Sequence, residues 1–93
     1  MIVGILSVSL QVPGSQSLKD KRQVIKSLIE KTKNRFNVAV AEIGDQELWQ
    51  RALIGIVTIA NDKKFVNQVL DKVLNFVRSN PIIHLIDYQI EIL

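Results

Sequence analysis

Cysteine is absent from these 93 residues, and histidine, tryptophan and tyrosine occur once each. Without cysteine there are no disulfides, no thiol nucleophile and no iron–sulfur ligation. A single histidine, His84, cannot form a structural zinc site, and catalysis or metal binding by it would need partners of suitable type and placement. No apolar run approaches the roughly 20 residues of a membrane span. The N-terminus also lacks the basic, apolar, small-residue order of a signal peptide. A cytoplasmic location is therefore the expectation. Repeats, low-complexity tracts and linkers are missing, so residues 1–93 read as one domain. Composition is 47% hydrophobic and 23% charged, that of a folded chain rather than a disordered one. A domain of this size buries about 60 to 70% of its unfolded surface and has little stability to spare.

What the chain does have is segregated positive charge. The stretch Ser17 to Arg35, SLKDKRQVIKSLIEKTKNR, holds seven of the twelve cations against Asp20 and Glu30, a net of +5, while the remainder nets −2. Its Leu18, Ile25, Leu28, Ile29 and Thr32, with Val24 beside them, recur at three and four residues and predict a helix with one apolar stripe. Ser17 and Asp20 suit a capping box. The cations fall mostly off the stripe, leaving a basic face in water; Lys21, nearer the stripe, is expected to lay its stem along apolar surface.

The remaining segments alternate or repeat in recognisable ways. Ile2 to Gln11 is a strand with Ile2, Leu6, Val8 and Leu10 on one face, followed by a Pro-Gly loop over Val12 to Gln16. Phe36 to Ile43 reads as a second strand, Gly44 to Glu47 as a turn, and Leu48 to Ala60 as a third strand apolar on both sides from Leu53 to Ile59. Asn61 or Asp62 caps a second helix over Lys63 to Ser79, with Val66, Val69, Leu70, Val73, Leu74 and Val77 inward. Ile82 to Leu93 closes as a strand in which His84, Ile86, Tyr88, Ile90 and Ile92 share one side.

Strand, helix, strand, strand, helix, strand predicts an α+β, ferredoxin-like βαββαβ sandwich. It has an antiparallel sheet in the order 4-1-3-2 and both helices on one face. The open face is expected to show Ser7, Ser9, Gln11, Asp87, Gln89 and Glu91, with Val3, Ile5 and one side of the third strand as an apolar part. Such a patch predicts a homodimer through that face.

The loop PGSQSLKDKR, the junction NRFNVAVAE, the segment ELWQRALIG and the IAND step into the second helix resemble the bacterial YlxP-like family of small uncharacterised proteins, over roughly Met1 to Asn75. The resemblance implies a ferredoxin-like fold and no established activity. Genes of that family often neighbour those of translation initiation factor two and ribosome-binding factor A, which tilts the expectation toward ribosomes or RNA.

Several residue groups carry candidate chemistry. Gly14, Ser15 and Ser17 at a helix N-terminus form a possible anion-binding loop, although a tight turn plus an N-cap explains the same residues. An acylphosphatase-type enzyme uses a comparable loop but needs an arginine within it, and the nearest here is Arg22. Trp49 with Arg51 can stack a base, whereas the plainer expectation is a tryptophan buried at one end of the core. For His84 the plainer expectation is a partly buried ring at a strand start. Lys19, Arg22, Lys26, Lys33 and Arg35 are the candidate phosphate contacts. The first and third strands lack the exposed aromatics of an RNA-recognition motif, so any contact runs through phosphates or structured RNA. The sequence thus reads as a non-catalytic RNA- or ribosome-associated module without cofactor or metal. A homo-oligomeric interaction module is the alternative, and a small phosphate-handling enzyme comes third.

Overall fold

Period-two alternation in the first strand becomes a sheet with one covered face: Leu6, Val8 and Leu10 are fully buried while Ile5, Ser7 and Ser9 between them stay partly open. The structure is a computed structural model describing residues 1–93. It runs β1 (Ile2–Gln11), α1 (Leu18–Arg35), β2 (Ala39–Gly44), β3 (Arg51–Ala60), α2 (Lys63–Arg78) and β4 (His84–Ile92). The four antiparallel strands lie in the order β2-β3-β1-β4, the predicted order seen from the other edge. This is the ferredoxin-like α+β arrangement. α1 packs over β2, and α2 over β1, β3 and β4. No helix is long and apolar enough to cross a membrane.

Register decides the ambiguous third strand. Leu6 pairs with Ile56 and Val8 with Ile54, so Ala52, Ile54, Ile56 and Thr58 go beneath the helices and Leu53, Val57 and Ile59 face outward. The core of 15 buried apolar residues forms between this surface and the two helices, which contribute Ile25 and Leu28 from α1 and Val66, Leu70, Val73, Leu74 and Val77 from α2. α2 comes so close to β1 that a Cβ at Gly4 would collide with Val66 Cγ1 and stand 2.9 Å from Leu70 Cδ1. A side chain there would force Val66 and Leu70 to shift.

Three strand boundaries differ from the sequence pattern, each for a local reason. β2 begins at Ala39 rather than Phe36 because Phe36 closes α1, its N–H donating to Thr32 O at 2.9 Å, and its ring meets Phe76 edge-on at 5.7 Å. β3 begins at Arg51 rather than Leu48 because Leu48 N–H donates to Asp45 O in a turn where Asp45 takes φ 59°, a left-handed conformation that Asp tolerates. β4 begins at His84 because Asn80 folds the preceding turn, its side chain accepting from Ile82 N–H and its carbonyl from Ile83 N–H.

β4 also corrects the expected side for His84. The pairing shifts between Ser9 and Leu10, so Leu85 pairs with Leu10 on the helix side and His84 pairs with Gln11 on the open side. A bulge adds one residue and reverses the alternation beyond it. His84 is consequently exposed, not partly buried, and Ile86 is exposed as well, while Ile90 and Ile92 remain inward.

Candidate functional site

The feature that positions the basic helix is the lysine whose chemistry the spacing did not reveal. Lys21 is wholly buried, its ammonium included. Nζ donates to the carbonyls of Asp45, Gln46 and Arg51 at 2.8, 3.2 and 3.1 Å. Those three acceptors use all three N–H groups of an ammonium. Glu42 Oε2 stands 3.1 Å from the same nitrogen and balances its charge but receives no hydrogen bond. A buried ion needs such compensation to be tolerable. The expected snorkelling stem is thus corrected: Lys21 points inward and fastens α1 to the segment between β2 and β3. The available signal was its place on the stripe, between Leu18 and Ile25.

That fastening fixes the loop carrying Trp49. Gln50 ties the same segment to the loop before α1, its Nε2 donating to Ser15 O at 2.9 Å and its backbone O accepting from Val12 N–H at 2.8 Å. Trp49 itself is 58% exposed. The expectation of a tryptophan sealing the core is therefore corrected, since β3 starts two residues later and Trp49 never enters the sheet. An indole left in water on a clamped loop is an amphipathic contact surface. Arg51 is exposed nearby in sequence but does not pair with it; the cation–aromatic contacts are Arg35 over Phe36 and Phe76, and Arg78 over Tyr88.

The five candidate phosphate contacts divide into four and one. At 3.6 residues per turn, Lys19, Arg22, Lys26 and Lys33 fall on one flank of α1, turned away from the buried Lys21, Ile25, Leu28 and Thr32, and all four are exposed. They span about 21 Å at about 1.5 Å per residue. The pair Lys21–Glu42 is the one ion pair within 4.0 Å in the protein, so none of the four has a carboxylate partner at that distance. Arg35 lies on the opposite flank, its guanidinium 5.2 Å from the Phe76 ring centre. There it lines a hollow of ≈ 420 Å³ between the helices with Lys72, Asn75 and Ser79.

The Gly14, Ser15 and Ser17 loop uses its polar groups internally. Ser15 is buried and donates from Oγ to Ser17 O at 3.0 Å; Ser17 Oγ accepts from Asp20 N–H at 3.1 Å; Asp20 Oδ2 accepts from Gln16 N–H at 3.2 Å. An anion arriving here would meet the Asp20 carboxylate. Arg22 lies beyond the loop on α1. No three His, Asp or Glu side chains come together as a metal-ligand set.

Similarity to known proteins follows the same scaffold. Residues 3–90 match the family described as "Protein of unknown function (DUF503)". The chain belongs to that family. A relative within reach of direct comparison, the uncharacterized protein YlxP of Bacillus subtilis (strain 168), is 34% identical over 80 residues, 86% of this chain and 87% of its own length. The match to the family takes in both helices, the clamped loop and all but the end of β4.

Proposed function

We propose that the protein is a non-catalytic, cytoplasmic RNA-binding module, associated with the ribosome or another structured RNA, whose contact surface is the outer flank of α1. One observation carries this reading: Lys19, Arg22, Lys26 and Lys33 form an exposed row about 21 Å long without a carboxylate partner. A row of cations that outnumbers the one acid on its flank, Glu30, attracts a phosphate backbone by releasing its counterions, independently of base sequence. The exposed Trp49, on the loop fastened to the same helix by Lys21, supplies a π surface on which an unpaired base can stack. Trp49 is also the sole tryptophan, so its fluorescence reports directly on that contact.

The test is titration of the protein with a ribosomal RNA fragment at two salt concentrations. Four phosphate contacts predict that affinity falls by about 100-fold between 50 and 200 mM salt. Absence of binding at the lower salt would remove the reading. A second reading, an oligomeric interaction module without nucleic-acid affinity, is favoured by the apolar part of the open sheet face. RNA affinity at low salt separates the two.

A further inference from the structure

The sheet face away from the helices carries a patch that the fold does not cover. In the two central strands Val3 lies beside Ile59 and Ile5 beside Val57, and the pairs that continue toward the other end are small or uncharged as far as Ser9 and Leu53. Ile59 is 58% and Val57 37% exposed. The irregularity in β2 between Glu42 and Gly44 adds Ile43, which is exposed and lies against Gly55, where no side chain intervenes. Acids occur on this face only along the edge strand β4, as Asp87 and Glu91. An uncharged centre with a charged border is the anatomy of a protein interface, not of a solvated sheet.

We infer that a second copy of this chain docks on this face, related by a two-fold axis running along the seam between β1 and β3. A two-fold interface must match itself, and this axis sets Val3 and Ile5 of one copy against Ile59 and Val57 of the other. It also lays the acidic column of β4 over β2 of the other copy, which presents Ala39 and Ala41, so no two acids are opposed. The available area fits. Strands of ten, ten, nine and six residues, at about 3.3 Å per residue and about 4.8 Å apart, make a face of about 550 Å², and its side-chain relief brings it toward the roughly 800 Å² per partner of a standard interface.

Charge distribution favours the sheet over the helices as the self-contact. The two helices together hold eleven cations and three acids, a net of +8, and everything else holds one cation and six acids. Face-to-face sheets, about 10 Å apart, keep the two cationic helix layers on opposite outer sides. Contact through the helices would press them together. The dimer stands independently of RNA binding, and it would present two basic rows at once.

Sedimentation of the protein at micromolar concentration, alone and without RNA, tests the inference. The parent is expected at twice the 10.5 kDa chain mass. Ile5→Lys and Ile59→Lys are expected to weaken dimerisation by about tenfold or more while circular dichroism keeps the α+β signature. Ile59 sits near the exposed end of its strand, so Ile59→Lys remains decisive if Ile5→Lys does not fold. A parent that sediments as one chain would overturn the inference and leave the face to a different protein. So would a dimer that survives in folded Ile59→Lys. Lys26→Glu, on the helix layer, is expected to leave the mass unchanged, and a monomeric Lys26→Glu would move the interface to the helices.

Discussion

The two helices lie on the same face of the sheet, α1 over the edge strand β2 and α2 over β1, β3 and β4, and they are built differently. α2 buries Val66, Leu70, Val73, Leu74 and Val77, an all-apolar stripe. α1 buries Ile25 and Leu28 together with Lys21 and Thr32. Thr32 is satisfied by donating from Oγ1 to Leu28 O at 2.7 Å, within the helix itself. Lys21 is satisfied only by a distant loop. α2 therefore holds the core by apolar burial alone, which is non-directional, whereas α1 adds to its buried Ile25 and Leu28 one directional set of contacts that fixes a loop and a basic flank in relation to each other.

Four measurements would break or sharpen that contrast. Leu70→Ala, in the middle of the α2 stripe and wholly buried, is expected to cost about 2 to 5 kcal/mol. At about 4 to 8 °C per kcal/mol for a domain of this size, thermal melting would register it plainly. A variant melting like the parent would show that α2 does not anchor the core.

Lys21→Met is expected to cost about 3 kcal/mol, because three carbonyls lose a charged donor and Glu42 loses its counter-ion. Adding Glu42→Leu should recover part of that loss, and the double-mutant cycle measures the coupling. Additive costs would mean that the carboxylate, whose side chain is 18% exposed, is already solvated and contributes little to the clamp. Amide exchange at Gln46 to Gln50 should rise in Lys21→Met well beyond any change at α2.

Lys26→Glu with Lys33→Glu should leave stability within about 0.5 kcal/mol, as exposed substitutions do. The same pair should lower the slope of log affinity against log salt by about 1.4 to 1.8, two phosphate contacts' worth. Unchanged RNA affinity would show that the basic flank is only a solvated surface. The smallest effect on the fold is expected for Trp49→Ala: no measurable change in melting, with about 1 to 3 kcal/mol lost from binding to single-stranded or bulged RNA and little from a perfect duplex. Equal losses on both would argue against stacking.

The sequence pattern was most legible where one physical rule acted alone. α2 follows the 3.6-residue period through six positions, and β1 alternates apolar and polar from Leu6 to Gln11, so their places in the core could be read directly. The candidate site was half legible. Lys19, Arg22, Lys26 and Lys33 share a flank by simple helical geometry, but Arg35 satisfies the same composition and sits elsewhere, because the last turn of α1 rotates it toward Phe76. The exposure of Trp49 is not legible, because Leu48, Trp49 and the apolar run after them read as one continuous strand. What interrupts it is a turn at Asp45 and a clamp from Lys21, 24 residues away in the chain.

By itself, then, the sequence determined the element order, the ferredoxin-like topology and the concentration of positive charge on α1, because local periodicity, capping and net charge depend on neighbours along the chain. Only the tertiary structure decided which side of β3 faces the helices, on which side His84 emerges, where Lys21 finds its acceptors and whether Trp49 is buried. Each of those depends on register between strands or on contacts across the fold. A one-residue shift in pairing, such as the bulge opposite Ser9 and Leu10, reverses every side chain beyond it without leaving a mark in the local pattern.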